Sequence, residues 1–207
     1  MGTSLPKLEK KLKDRTEKRD RQIRRFKKTK DRGHAKAAHR QARAVKYLKW
    51  LIAQKKAEMT LAEKAAKIGL GLVGVMEQGG NNAGPMVSKI IKANDGFVGE
   101  PWCGDFVAYC YRLAGSDLVN RSWASVQALD DQPGIKETTK PREGDLVTFD
   151  FDHVGMFLRD LGNGEIETVE GNTGASGAVS DSATGGDGVY RKKRSKSLVS
   201  EYLRVTD

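Results

Sequence analysis

The chain has 207 residues, 37 Lys and Arg against 27 Asp and Glu, and a formal net charge of +10. That length holds one medium domain with an appendage, or two small domains, and no run of eighteen or more apolar residues is present to cross a bilayer as a helix. The charge is unevenly spread: residues 1–67 carry 23 basic and 7 acidic side chains, whereas residues 68–207 carry 14 and 20. The expected division is a basic arm over 1–67 and a mildly acidic body over 68–207.

Met1 to Lys7 has no apolar h-region, so a secretory signal is not expected there and delivery by another route is. Pro6 stands where a myristoylation site carries Ser or Thr. Residues 4–32 are dense in charge, with Leu5, Leu8, Leu12, Ile23 and Phe26 as a broken apolar stripe. From Ala35 to Lys67 strong helix formers dominate, and Val45, Leu48, Ile52, Met59, Ala62 and Ala66 follow a seven-residue repeat. One or two long helices are expected, turning near Gly33.

The body is expected to begin near Ile68. Glu77 to Pro85 reads as a loop, Val87 to Ala93 as a short helix, and Trp102 to Gly115 as a helix ended by its glycine. Ser122 to Leu129 reads as another short helix. Strands follow at Gly144–Asp150, His153–Leu158 and Glu165–Glu170, with a turn at Asp160–Asn163. Residues 171–188 read as a Gly- and Ser-rich loop, and Val189–Arg191 and Glu201–Val205 as closing strands. Helices first and an antiparallel sheet after them make the fold class α+β.

The two cysteines, Cys103 and Cys110, lie seven residues apart on one helix, about 10.5 Å between Cα atoms. A disulfide is excluded at that separation, and the spacing does not suit zinc. Cys110 shares a face with Phe106, Val107, Leu113 and Ala114 and reads as core. Cys103 falls in the first turn after Pro101, where unpaired N–H groups and the positive end of the helix favour the thiolate. The same N–H groups suit an oxyanion. A buried apolar cysteine is the competing reading at this position.

A nucleophilic cysteine needs a base. His34 and His39 lie in the basic arm, leaving His153, beside Asp152, in the body. Pairing the strands 153–158 and 165–170 across the turn sets His153 opposite Glu170. A shift of two residues sets it opposite Asn172 instead. Either residue can orient the imidazole.

The segments Glu77-Gln-Gly-Gly-Asn-Asn, Pro101-Trp-Cys-Gly-Asp-Phe-Val, Arg121-Ser-Trp-Ala, Gly144-Asp-Leu-Val, His153-Val-Gly-Met-Phe and Glu170-Gly-Asn172 occur in the order of one family. Over residues 68–207 the chain resembles the CHAP family, the cysteine, histidine-dependent amidohydrolases/peptidases. The resemblance implies a papain-like (NlpC/P60-type) α+β fold with helices packed on an antiparallel sheet. It implies Cys103 as nucleophile, His153 as base, Glu170 as third residue and Asn172 as an assisting polar residue. Trp102, Gly104 and Trp123, which flank these positions, are expected to contact substrate. Gly104 departs from the Ala, Thr or Gln of many relatives and is read as leaving space beside the nucleophile.

The resemblance further implies an amidase or endopeptidase acting on the peptide of bacterial peptidoglycan, with no cofactor. Asp95, Glu100 and the acids of the 181–187 loop lack a calcium-loop signature and are expected to be ordinary surface acids. The expected setting is a phage tail, with a free endolysin or a catalytically weak docking component of the particle as alternatives. The basic arm is expected to anchor or target the enzyme, through its apolar stripe, to a particle protein, with envelope polyanions next in order. It lacks a docking module for specific nucleic-acid reading.

Overall fold

The computed structural model describes residues 4–175 and 186–206. The chain divides into two compact units, Met1–Met59 and Thr60–Asp207. The first is a pair of helices, α1 (Leu5–Thr29) and α2 (Arg32–Ala57). Lys30 ends α1 in the left-handed conformation, and Asp31 caps α2 by accepting from the Gly33 N–H at 2.6 Å. The reversal therefore falls at Lys30–Asp31, and Gly33 sits inside the first turn of α2. Leu8, Val45 and Ile52 are buried where the two apolar stripes close on one another.

The second unit starts at Thr60, not near Ile68. Thr60 and Glu63 form a reciprocal capping box, Thr60 N–H donating to Glu63 Oε2 at 2.8 Å and Glu63 N–H to Thr60 Oγ1 at 3.2 Å. The helix they start, α3 (Leu61–Gly71), runs through the boundary that charge predicted. Lys64 and Lys67 carry basic composition across that boundary, while Ala65, Ala66 and Gly69 of the same helix are buried. A Cβ on Gly69 would lie 2.6 Å from Met156 Cε, so the glycine permits close packing of α3 on the sheet.

Two further helices follow, α4 (Pro85–Lys92) and α5 (Cys103–Ala114). The helix expected at 122–129 is two short 3-10 turns, Arg121–Ala124 and Val126–Ala128. The strands are β1 (Ile135–Glu137), β2 (Leu146–Phe149), β3 (His153–Gly162), β4 (Glu165–Thr173), β5 (Gly188–Ser195) and β6 (Val199–Val205). They form one antiparallel sheet in the order β1-β6-β2-β3-β4-β5, giving the expected α+β class. Phe106, Val107 and Cys110 of α5 join Val154, Met156, Val169 and Leu203 in the main core, and Val147, Phe149, Phe157 and Ile166 form a second cluster.

β3 runs on to Gly162 and turns at Asn163–Gly164, both at positive φ (47° and 83°), the geometry of a type I′ hairpin turn. The turn expected at 160–163 ended the strand too early. The pairs Met156–Val169 and Phe157–Thr168 belong to the second of the two registers considered, the one that brings Asn172 level with His153. Irregularities between Phe157 and Arg159 and between Asp160 and Gly162 absorb the difference from the turn. Of the loop expected at 171–188, residues 176–185 lie outside the described residues, and its ends belong to β4 and β5.

Candidate active site

Cys103 is the first residue of α5, with Trp102 as N-cap, so the first-turn N–H groups have no acceptor within the helix. Cys103 and Cys110 are both free thiols. Cys110 is wholly buried, and burial pushes its thiol far above the ordinary range. Cys103 is 6 % exposed and lines a cavity of about 430 Å³. Cys103 thus reaches a cavity wall, whereas Cys110 is sealed in the core.

His153 opens β3, 2 % exposed. Its Nε2 lies 2.9 Å from Glu170 Oε2, and its other hydrogen-bond partner is the Cys103 side chain, which leaves Nδ1 to face the thiol. Phe149 and Phe151 stack on the ring at centroid distances of 5.9 and 5.8 Å. Burial pulls the imidazole toward its neutral form. The hydrogen bonds to Cys103 and Glu170, with their negative charge, outweigh that and hold it at about 9.

Glu170 reaches His153 although the register does not set them directly opposite. A Cβ on Gly155 would lie 2.6 Å from Glu170 Cγ, so the missing side chain at 155 is the space through which Glu170 leans toward the ring. Arg194 on β5 grips the same carboxylate, Nε donating to Oε1 at 3.0 Å and Nη2 to Oε2 at 2.7 Å. Thr168 Oγ1 also donates to Glu170 Oε1. Burial opposes ionisation of Glu170, but the bonds to His153 and Arg194 prevail and hold it down at about 2. Arg194 has no sequence motif to mark it. It follows the Lys192-Lys193 run and reads as one more surface cation, yet it is 1 % exposed.

Asn172, at positive φ (54°), does not bond the imidazole. With its amide oriented to satisfy both ends, its oxygen accepts from the Trp102 N–H at 3.0 Å. Its nitrogen donates to the Gly186 carbonyl at 3.0 Å and to Asn82 Oδ1 at 3.2 Å. Glu77 completes this web, Oε1 accepting from Trp102 Nε1 at 2.9 Å and Oε2 from the Asn82 N–H at 2.8 Å. The Glu77-to-Asn82 loop therefore buttresses the residue that precedes Cys103.

Trp102 and Trp123, which the resemblance led us to expect at the substrate, are both fully buried and do not line the cavity. Trp102 packs edge-on to Phe106, and Trp123 edge-on to Tyr111. Gly104 is also buried and has no free space beside it. A Cβ there would lie 2.4 Å from the Trp123 carbonyl oxygen and 2.6 Å from that of Ala124, so the glycine admits a backbone segment rather than a ligand. The cavity wall is formed by Glu100, Arg121, Ser125, Gln127 and Asp152, among others.

Behind this wall, Arg121 donates from Nη2 to both Glu100 oxygens at 2.8 Å and from Nη1 to Asp105 Oδ1 at 3.1 Å. Asp105, in the first turn of α5, also accepts from Asn94 Nδ2 at 2.8 Å. Burial raises the Asp105 carboxyl to about 6, against the lowering by Asn94 and Arg121. Glu100 is thus tied to Arg121 and to the Phe97 N–H. Among the described residues no group of three or more His, Cys, Asp or Glu is arranged to hold a metal ion. Of the 181–187 acids, Asp181 lies outside the described residues, and Asp187 accepts from Tyr190 Oη at 3.0 Å. No described helix is long and apolar enough to cross a membrane.

The family model described as the CHAP domain matches residues 94–172, a span that contains Cys103, His153, Glu170 and Asn172. No curated protein and no solved structure matches the chain.

Proposed function

We propose that the chain, whose residues 94–172 match the CHAP domain model, is a peptidoglycan-acting hydrolase of the amidase/peptidase class that cleaves an amide bond of the wall peptide by a Cys103–His153–Glu170 mechanism on a papain-like scaffold. The observation that carries this reading is the line formed by Cys103 at the start of α5, His153 hydrogen-bonded to it, and Glu170 2.9 Å from the far nitrogen of the ring.

The Cys103 thiolate attacks the carbonyl carbon of the scissile amide, and the oxyanion settles on first-turn N–H groups of α5. His153 then donates its Nδ1 proton to the leaving nitrogen, the C–N bond breaks, and a thioester remains on Cys103. A water enters, gives a proton back to Nδ1 and attacks the thioester, releasing a carboxylate and restoring the thiolate–imidazolium pair. Glu170 keeps Nε2 occupied and the ring fixed throughout. Asn172 assists by holding the Trp102 N–H, and with it the start of α5.

The bond is either the N-acetylmuramoyl-L-alanine amide or a peptide bond of the stem or cross-bridge, and the enzyme is carried on a phage tail to the host envelope. Mass spectrometry of fragments released from purified peptidoglycan tests the chemistry. New free amines paired with lactyl or peptide carboxylates are expected. New reducing sugar ends without them would identify a glycosidase and overturn the reading. Immunodetection of the chain in purified tails tests the setting, and its absence from particles would contradict it.

A further inference from the structure

We propose that one face of α2 is a docking surface for the anionic polyol-phosphate polymers attached to the bacterial wall. α2 carries eight Lys and Arg and no acidic residue. Lys36, Arg40, Arg43, Tyr47 and Trp50 recur at alternating spacings of four and three, which aligns them on one side of the helix, and all five are exposed. Among the described residues, none of Lys36, Arg40 and Arg43 makes an ion pair. Lys36, His39, Arg40 and Arg43, with Ala35, line a hollow of about 520 Å³. One turn further on, Tyr47 and Trp50 stack at 6.0 Å with 56 to 60 % of each side chain's residue surface exposed.

Of the apolar stripe that suggested a protein anchor, Leu8 is buried with Val45 and Ile52 between α1 and α2, and Ile23 stands alone among its members as a large exposed apolar side chain. What remains outward is a row of unneutralised cations ending in an aromatic pair, and its electrostatic complement is a flexible polyanion. A bilayer surface fits less well, because no continuous apolar face is left to enter the headgroup region. A single aromatic step is a poor platform for successive bases of single-stranded nucleic acid. Selection of the wall polymer among polyanions rests on the proposed wall substrate.

Binding is measured with the full chain carrying Cys103→Ala, so that the wall is not digested, on walls before and after chemical removal of their phosphate polymer, and by calorimetry on the soluble polymer. Retention on intact walls, loss on stripped walls and weakening with salt are expected. Lys36→Glu/Arg40→Glu/Arg43→Glu is expected to weaken binding to the polymer by about tenfold or more, and Tyr47→Ala/Trp50→Ala to weaken it less. Equal retention on stripped walls, or tighter binding to duplex DNA or to phosphatidylglycerol vesicles than to the polymer, would overturn the proposal. Calorimetry with the inert chain does not involve cleavage, so its failure leaves the hydrolase reading standing.

Independently, we infer that Arg194 is a positioning residue for His153, acting through Glu170. Its guanidinium makes two bonds to the Glu170 carboxylate, a third to Thr173 Oγ1 at 3.2 Å, and lies 5.4 and 5.3 Å from the centroids of Phe149 and Phe151, the two rings that also flank His153. Among the described residues, the charged groups that face this layer are Arg194, Glu170 and His153, with Cys103 on the other side of the imidazole and Lys192 donating to the Gly174 carbonyl at 2.9 Å. Arg194 offsets the Glu170 charge, so that Glu170 orients the imidazole without holding its proton too tightly to deliver it.

Arg194→Gln is expected to move the alkaline limb of kcat upward by about one pH unit, because His153 then faces an unshared carboxylate. Arg194→Lys, which keeps the charge and loses the paired bond, is expected to leave the limb in place while kcat falls. A purely structural role would lower Tm with the limb unmoved in Arg194→Gln, and that result overturns the inference. Should Arg194→Gln not fold, an unchanged kcat in Arg194→Lys overturns it equally.

Discussion

Gly155 and Glu170 occupy neighbouring strands so closely that a Cβ on the glycine would come within 2.6 Å of Glu170 Cγ. The carboxylate crosses that gap to reach His153 at 2.9 Å. Gly155→Ala is therefore expected to push Glu170 off the ring. Loss of about 10- to 100-fold in kcat is expected, with about 1–3 kcal/mol of destabilisation from overpacking. Steady-state kinetics beside a denaturation curve checks both, and full activity would show that Glu170 has another path to the imidazole.

Glu170→Gln removes the charge that helps hold His153 protonated. The alkaline limb of kcat/KM is expected near pH 9 in the wild type and lower in the variant, moving toward the ordinary 6.5 of histidine. The rate itself is expected to fall by roughly 10²–10⁴-fold. A pH–rate profile of both proteins decides it, and an unmoved limb would separate Glu170 from the ionisation of the ring.

The same pair makes stability depend on pH with a defined sign. His153 is raised from 6.5 to about 9 on folding, so its contribution is complete below pH 6.5 and is lost as pH rises through about 9. Glu170 is lowered from 4.5 to about 2, so its contribution is complete above pH 4.5 and is lost as pH falls through about 2. Their joint contribution peaks between pH 4.5 and 6.5. Tm measured across pH is expected to decline on both sides of that window, and Glu170→Gln to flatten both slopes.

Gly104→Ala brings a Cβ against the carbonyl oxygens of Trp123 and Ala124, which cannot rotate aside as a side chain would. It is expected to cost about 1–3 kcal/mol and lower Tm. An unchanged Tm would show that the 123–124 segment yields.

The pairing of Cys103 with His153, the proposed nucleophile and base, is legible in the sequence because each has a local signal: Cys103 follows Pro101 at a helix start, and His153 is the one histidine outside the basic arm. The cross-strand argument selected Glu170 as one of two candidates, but through a register two residues off. The turn expected at 160–163 stops at Asn163 and so splits the Asn163–Gly164 signal, on which the observed pairing depends. Thr60-x-x-Glu63 is likewise a visible capping box, hidden by the basic residues around it. Arg194 and the burial of Trp102 and Trp123 had no such signal. They arise from contacts between segments far apart in the chain, and an aromatic beside a nucleophile looks the same in sequence whether it faces a ligand or the core.

In the proposed mechanism Cys103, and not Cys110, performs the chemistry. The direct measurement is release of soluble fragments from purified peptidoglycan by wild type, Cys103→Ala and Cys110→Ala at matched folded concentration. Activity in the wild type and in Cys110→Ala, with none above background in Cys103→Ala, is the predicted result. Comparable release by Cys103→Ala would show that Cys103 is not the nucleophile.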